Sequence, residues 1–554
     1  MARTPIFRAL RRVLATAHRR GRAAPGPADV SRREFLGATA AVAALVPLAS
    51  ACGGDDEARP LIAIVGGGIA GLHCAHRLAE AGVTATVYEA SARAGGRMST
   101  ARGLLADGQL VELGGELIDT GHATMMALAA EFSLALDDLA VLDADVAADT
   151  FHFDGAVVSA EALVTAFTPV AALMASTVTA AEADDAEFER VDALSIPAWL
   201  EQEAGLAPTA LIRRVLELAY EEEYGLPAAQ QSVFNLLYLI DYDDADPFRI
   251  FGDSDERFHV HAGNDAITNA LAQVLGDQVV LDHALIRVAR DGARYALTFE
   301  TPAGEVDVVA DHVVFALPFS VLREVDLDDA GLSDAKREVI AELGYGTNAK
   351  LMLQFASRPW RDPGGTSGGC ITDVGALQTT WETSRGQGGD HGVLTNFVGG
   401  ERGVALGDGT AEERAAEVLP WIDTVFPGTA ATYVAGSAVR QHWPTQPFTK
   451  GSYACYRVGQ WAYWGTEGQR EGNLHFCGEH TSLDFQGYME GGAETGALVA
   501  AEILDDVGLA PSSRHAALLD HKLRLPQACY HGGGGAPMPR RSARRRALRA
   551  LARR

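Results

Sequence analysis

A short, wholly apolar run, Leu61-Ile62-Ala63-Ile64-Val65, leads directly into Gly66-Gly67-Gly68-Ile69-Ala70-Gly71. A run of this length reads as a buried parallel strand. His73 to Ala81 then reads as a helix, with Leu72, Ala75, Leu78 and Ala79 apolar along one side. Val83 to Tyr88 reads as a second strand that ends at Glu89. Each part of this spacing has a physical use. Gly66 makes a tight turn, Gly68 lets the backbone approach a pyrophosphate, and Gly71 lets the helix pack against the strand. The helix N-terminus offers free N–H groups and a positive dipole end to phosphates, and Glu89 accepts hydrogen bonds from ribose hydroxyls. The chain therefore begins its folded part as a dinucleotide-binding βαβ unit. Gly66, Gly68, Ile69, Ala70, Gly71, Glu89 and Ala90 are its candidate cofactor-binding residues.

The whole chain has 554 residues, 47% of them hydrophobic, which is ample for two domains. Its net charge of −27 is unevenly spread. Residues 1–51 carry nine arginines against Asp29 and Glu34, and the stretch from Gly532 onward carries eight arginines and no acid. The acidic middle argues against nucleic acid as a partner, and it serves either to attract cationic amines or simply as a charged surface that keeps the protein soluble. Six scattered cysteines, Cys52, Cys74, Cys370, Cys455, Cys477 and Cys529, show no metal or C-x-x-C spacing. Ser31-Arg32-Arg33-Glu34-Phe35-Leu36 resembles the twin-arginine export motif, and a short apolar run to Ala51 follows it. Cys52, after Ala49-Ser50-Ala51, is read either as a lipid-anchor cysteine or as the first residue after plain cleavage. The expected location is extracytoplasmic, periplasmic or at the cell surface. The Gly532–Gly535 linker and the arginine-rich end read as a disordered tail.

Three further motifs follow in order. Ala92-Arg93-Ala94-Gly95-Gly96-Arg97 and Glu112-Leu113-Gly114-Gly115-Glu116 extend the nucleotide-binding start. Far along the chain, Leu474 to Ser482 contains Cys477-Gly478-Glu479-His480-Thr481, and Phe485-Gln486-Gly487-Tyr488-Met489-Glu490-Gly491 comes after it. Together they resemble the flavin monoamine oxidase family, over about Leu61 to Leu504. The resemblance implies FAD, with Arg97 reaching its pyrophosphate, Glu479 its ribityl chain, and Gly96, Gly114, Gly115, Glu116, Gly478, Gly487, Tyr488 and Met489 lining its site. Trp443 to Tyr453 resembles the segment that supplies one wall of the family's aromatic cage, so Tyr453 and Tyr488 are the expected walls. Ser452 stands where the mammalian enzymes carry a flavin-linked Cys, which implies non-covalent FAD. Lys350, one of four lysines and set in the strand-like Gly346–Leu353 segment, matches the family lysine that holds a water against flavin N5. Lys350, Tyr453 and Tyr488 are the candidate catalytic residues.

The resemblance implies an α/β fold: a Rossmann-like FAD domain from residues 61–125, 255–325 and 465–508, and a mixed substrate domain from 126–254 and 326–464. Residues 1–51 are the signal segment, 52–60 a linker and 509–554 a C-terminal extension. The implied reaction is oxidation of an amine to an imine, then aldehyde and ammonia, with molecular oxygen reduced to hydrogen peroxide. The position of the arginine that holds the carboxylate in many L-amino acid oxidases falls at Leu117, which tilts the reading toward amines without a carboxylate. An L-amino acid oxidase, a flavin desaturase or porphyrinogen-type oxidase, and a surface-anchored FAD-binding protein remain alternatives. No acidic tunnel for a diamine is visible, no general base is nominated, and the oligomeric state is open. His259-x-His261 and the His73, His76 pair would each need a third ligand, so no metal site is expected.

Overall fold

The computed structural model describes residues 60–524, apart from 148–149, 244, 253 and 363–364. The export motif, Cys52, Cys529 and the arginine-rich tail lie outside the described residues. Strand β1 (Ile62–Val65) is buried at every position. Helix α1 (Ile69–Glu80) follows it, and β2 (Thr86–Tyr88) comes next. The helix begins four residues earlier than its apolar pattern suggests, because Gly68 already takes the extended N-cap conformation (φ −76°, ψ −178°). The second strand begins three residues later than expected. Val83 N–H still donates to Leu78 O, so the chain is finishing its helix there. These elements belong to a five-stranded sheet in the order 474–476, 312–315, β1, β2, 279–280, with every neighbouring pair parallel.

The one-sided helix expected from Leu72, Ala75, Leu78 and Ala79 is buried all round: every residue from Ala70 to Leu78 is out of solvent. Its polar groups are therefore satisfied inside the protein, as burial demands. Arg77 Nε donates to His73 Nε2 at 2.8 Å, and its other nitrogens reach Glu80 and Glu131. With Nε2 accepting, His73 Nδ1 carries the proton and donates to Ala493 O at 2.7 Å. Burial, reinforced by the Arg77 charge, holds the His73 pKa well below its usual value and keeps the imidazole neutral.

The second domain is built on a seven-stranded sheet, in the order 439–442, 349–355, 392–398, 379–382, 370–372, 150–153, 156–158. All its pairs are antiparallel except 370–372 with 150–153. Helices between Ala160 and Leu237 pack beside it, among them α2 (Leu211–Tyr224). The helix Ala160–Ala183 is long and apolar enough to cross a membrane, yet Phe167, Met174 and Val178 on one face are buried in the protein core. The strand β3 (Ala349–Phe355), second from one edge of this sheet, is buried at all seven positions. The chain returns to the parallel sheet at 474–476, and α3 (Met489–Asp506) then packs across α1. This is a two-domain α/β fold, and one cavity is lined by residues of both large sheets.

Candidate active site

A cavity of about 910 Å³ runs from the C-terminal ends of β1 and β2 to β3 and the end of α2. At the nucleotide end, Gly66, Gly68, Ile69, Ala70, Glu89 and Ala90 line it. Gly68 faces open space: a Cβ there would meet nothing within 4 Å. Ile69 and Ala70, the first residues of α1, line this region, and the helix has no acidic side chain in its first turn. Such a helix end and open glycine fit an anionic diphosphate. Glu89 accepts from Gly67 N–H at 2.7 Å and from Ser91, which fixes its carboxylate at the cavity wall.

Gly71 does not line the cavity; it sits behind the wall. A Cβ there would lie 2.0 Å from Gly66 O and 3.2 Å from the Ala316 Cβ. Its role is the close approach of helix to turn, and any side chain must push the glycine turn out of place. Gly71→Ala is expected to cost about 3 kcal/mol and to release FAD. Thermal melting together with flavin retention on gel filtration checks this; an unchanged yellow protein would contradict it.

Further along, Arg93, Gly96 and Arg97 line the cavity, with Gly478 and Glu479 beside them. Arg97, expected to reach a pyrophosphate, holds protein groups here. Its Nη1 donates to Glu479 Oε1 at 2.9 Å and to Ser452 O at 2.6 Å. Glu479 also accepts from the backbone N–H groups of Ala454 and Gly487, so one carboxylate binds three separate chain segments. Gly114, Gly115, Glu116, Gly487, Tyr488 and Met489 complete this stretch of wall.

Lys350 projects from β3 and is buried, only 4% exposed. It donates to Glu116 Oε2 at 2.8 Å, Gly114 O at 2.8 Å and Glu112 O at 3.2 Å. An ammonium has three N–H donors, and these three acceptors take them all. A water held by Lys350 would have to replace the longest of them. The other side of Glu116 accepts from Trp381 Nε1 and Thr383 Oγ1, so the expected cofactor-lining residue is also the fixed counter-ion of Lys350. Burial raises the Glu116 pKa, but the charge and hydrogen bond of Lys350 and the indole of Trp381 outweigh it and leave the carboxyl below its usual value.

Tyr453 and Tyr488 line the same cavity, and both hydroxyls turn to one residue. Tyr453 Oη donates to Glu223 O at 2.5 Å, and Tyr488 Oη donates to Glu223 Oε1 at 3.4 Å. The first of these caps a free carbonyl at the C-terminus of α2. Asn348 Nδ2 does the same for Glu222 O, and Gly225, with φ 73°, ends the helix. Glu222 and Glu223 line the cavity. Burial pushes the Glu222 carboxyl well above the usual range and Glu223 up to about 7.

These two glutamates were not singled out from the sequence. A signal was present: Glu221-Glu222-Glu223 closes a helix with no basic residue in its last turn. The helix C-terminus is its negative end, where acidic residues are unfavourable. A run that breaks a local rule marks a place where function outweighs stability. The cavity thus has an acidic lining that the sequence alone does not locate. Ser452 Oγ donates to Asn348 Oδ1, whereas Cys455 lies outside the cavity lining, buried against Asn235. Leu117 lines the cavity. Arg249, Arg257 and Arg385 also line it, and each is ion-paired, with Asp241, Asp138 and Asp143.

The histidines weighed as metal ligands are separated. His259 meets Glu112 at 2.9 Å, while His261 lies beyond its strand and meets Asp137. They therefore do not share a strand face. His76 comes near Glu80 and Glu131, whose carboxylates Arg77 and Arg514 already hold.

Residues 69–504 match the family described as flavin containing amine oxidoreductase. A pseudooxynicotine dehydrogenase of Pseudomonas sp. is 26% identical, over 86% of this chain and 95% of its own. An L-amino-acid oxidase of Siganus canaliculatus is 24% identical over 76% of this chain and 81% of its own. The fold resembles that of a putrescine oxidase bound to putrescine, with a TM-score of 0.68 at 20% identity, covering 80% of this chain and 99% of the other. It also resembles a cyclohexylamine oxidase from Brevibacterium oxydans, with a TM-score of 0.69 at 20% identity over 81% and 100%. The family match spans most of the chain and includes both ends of the cavity. This chain belongs to the flavin-containing amine oxidoreductases, enzymes that use FAD to oxidise amines.

Proposed function

We propose that the chain oxidises an amine that carries no carboxylate, with non-covalent FAD and with oxygen as the electron acceptor. The observation that carries this reading is the single cavity that joins the buried Lys350–Glu116 pair to Tyr453 and Tyr488. Bound FAD supplies two-electron acceptor chemistry. Gly66, Gly68 and the α1 N-terminus would hold its diphosphate, Glu89 its ribose, and Arg97 with Glu479 the wall beside it. Tyr453 and Tyr488 would present ring faces to the substrate, exclude water and orient the amine nitrogen. Lys350 keeps the Glu112–Glu116 segment in place by hydrogen bonds to two of its carbonyls and one carboxylate. Ser452 in place of a reactive cysteine, and Cys455 away from the cavity lining, favour a cofactor held without a covalent bond.

Of the arginines that line the cavity, Arg97, Arg249, Arg257 and Arg385 are each ion-paired with a carboxylate and Arg93, at the nucleotide end, is held by backbone carbonyls, which favours amines over amino acids. The similarity to an L-amino-acid oxidase supplies the second reading. Assays with primary amines, diamines and L-amino acids, followed by peroxide formation and separately by a dye acceptor, tell them apart. Amine turnover with peroxide is the expected result. Turnover of L-amino acids alone would overturn the substrate class, and turnover seen only with the dye would make the enzyme a dehydrogenase. The motif Ser31–Leu36 and the Ala49–Cys52 stretch also support export through the twin-arginine route, with cleavage or lipid attachment at Cys52. Cell fractionation of a Cys52→Ser variant against the parent tests that anchor.

A further inference from the structure

Most aliphatic amines are protonated at neutral pH, with pKa values near that of lysine, about 10.4. An ammonium has no lone pair on nitrogen, and loss of hydride from its α-carbon would leave a dication. The reacting species must be the free amine, so the proton has to go somewhere as the substrate enters. Tyr453 and Tyr488 hold no proton acceptor in their own chemistry, and burial pushes Tyr453 well above its usual pKa.

We propose that the Glu223 carboxylate takes the proton from the incoming ammonium, delivering neutral amine between Tyr453 and Tyr488. This rests on the amine-oxidising reading above. The step balances simply: an N–H bond breaks, a carboxyl O–H forms, and no electrons change hands. The placement is geometric. Glu223 is the one residue on which both tyrosine hydroxyls converge, and it is part of the cavity lining. Its neighbour Glu222 also lines the cavity, is buried, and has Oε2 without a hydrogen-bond partner. The titratable groups acting on Glu223 and its neighbour are Tyr488, Asp119, Tyr453, Tyr220, Glu222 and Glu256. None of them is basic; His122, which packs on the Tyr488 ring and sits 3.4 Å from Asp119, is held below its usual pKa by burial. Among the described residues no cation is paired with Glu222 or Glu223, so a substrate ammonium would supply one, and burial raises the Glu223 pKa to about 7. A carboxylate already fixed by an arginine could not accept the proton so readily.

The test is the pH profile of kcat/KM for a simple primary amine, for the holoenzyme and for Glu223→Gln. For the parent, deprotonated Glu223 and protonated amine are the reacting pair. The profile should rise through about 7 and fall above the amine's own pKa. For Glu223→Gln only free amine from solution can react. Its profile should keep rising to the amine pKa without a fall beyond it, with a loss of about 100-fold at pH 7 that narrows as pH rises. With amines of lower pKa the variant's rise should shift in step, while the parent's lower limb stays fixed. Glu223→Asp should restore the parent's shape.

A second reading is independent of turnover. tert-Butylamine lacks an α-hydrogen and cannot be oxidised. Its binding at pH 8, followed by calorimetry in buffers of different ionisation enthalpy, should release about one more proton per site in Glu223→Gln than in the parent. Identical pH profiles and identical proton release in parent and variant would overturn the proposal. Failure of the parent to oxidise any amine at any pH would instead sink the underlying functional reading.

Discussion

Lys350→Met is expected to destabilise the protein by about 3–5 kcal/mol at pH 7 and to abolish most amine turnover. The magnitude follows from what is left behind. Lys350 is 4% exposed and Glu116 8%, so removing the ammonium strands a buried carboxylate. Two backbone carbonyls, Glu112 O and Gly114 O, lose their donor at the same time. The segment they belong to forms part of the cavity wall.

The pH dependence should reverse sign. In the parent, Glu116 is held below its usual value of 4.5. It binds fewer protons folded than unfolded, so its contribution is present above about pH 4.5 and is lost on acidification. Without Lys350, burial alone remains and pushes the same carboxyl upward. The variant's deficit should then shrink as pH falls from 7 toward 5, because the protonated carboxyl is cheaper to bury. Lys350→Met combined with Glu116→Gln should recover most of the stability and little of the activity. Melting curves of the three proteins between pH 5 and 8 check this. A single variant whose deficit does not change with pH would show that Glu116 is not the stranded charge.

Glu479→Ala carries the second large effect, again about 3–5 kcal/mol, with loss of FAD on gel filtration. Its two carboxylate oxygens accept from Arg97, Ala454 N–H and Gly487 N–H. Removing them frees one guanidinium and leaves two backbone donors of the cavity wall without partners. Glu479→Gln keeps an amide oxygen for part of this set and should fall between parent and alanine variant. Flavin content measured beside the melting temperature separates the roles. A variant that melts normally but is colourless would place Glu479 on the cofactor alone, and one that keeps its flavin would contradict the wall-binding role.

The start of the fold was legible because it depends on local rules. A strand, a glycine turn and a helix in sequence can form a diphosphate cradle in few other ways, and Gly71 shows why its position tolerates no side chain. The burial of the helix's other side was not legible, for a physical reason. His73 and Arg77 are polar residues of the kind that often face solvent, yet their partners, Ala493 on α3 and Glu131, lie 420 and 54 residues away. No local pattern reveals those partners. The acidic lining was hidden in the same way. Glu223 meets Tyr453 and Tyr488 across 230 and 265 residues, so the glutamate run could be seen while its destination could not. Its position at a helix C-terminus was the one local hint. The bounds of the strands and helices shifted by a few residues wherever a cap or a turn took over from the apolar pattern.

Anaerobic mixing of the purified flavoprotein with a primary amine, with flavin absorbance followed, tests amine oxidation most directly. The flavoprotein is expected to bleach in a single turnover, with one equivalent of amine consumed per flavin, and to regain its colour when oxygen is admitted. A yellow protein that no amine bleaches, at any pH between 6 and 10, would contradict amine oxidation.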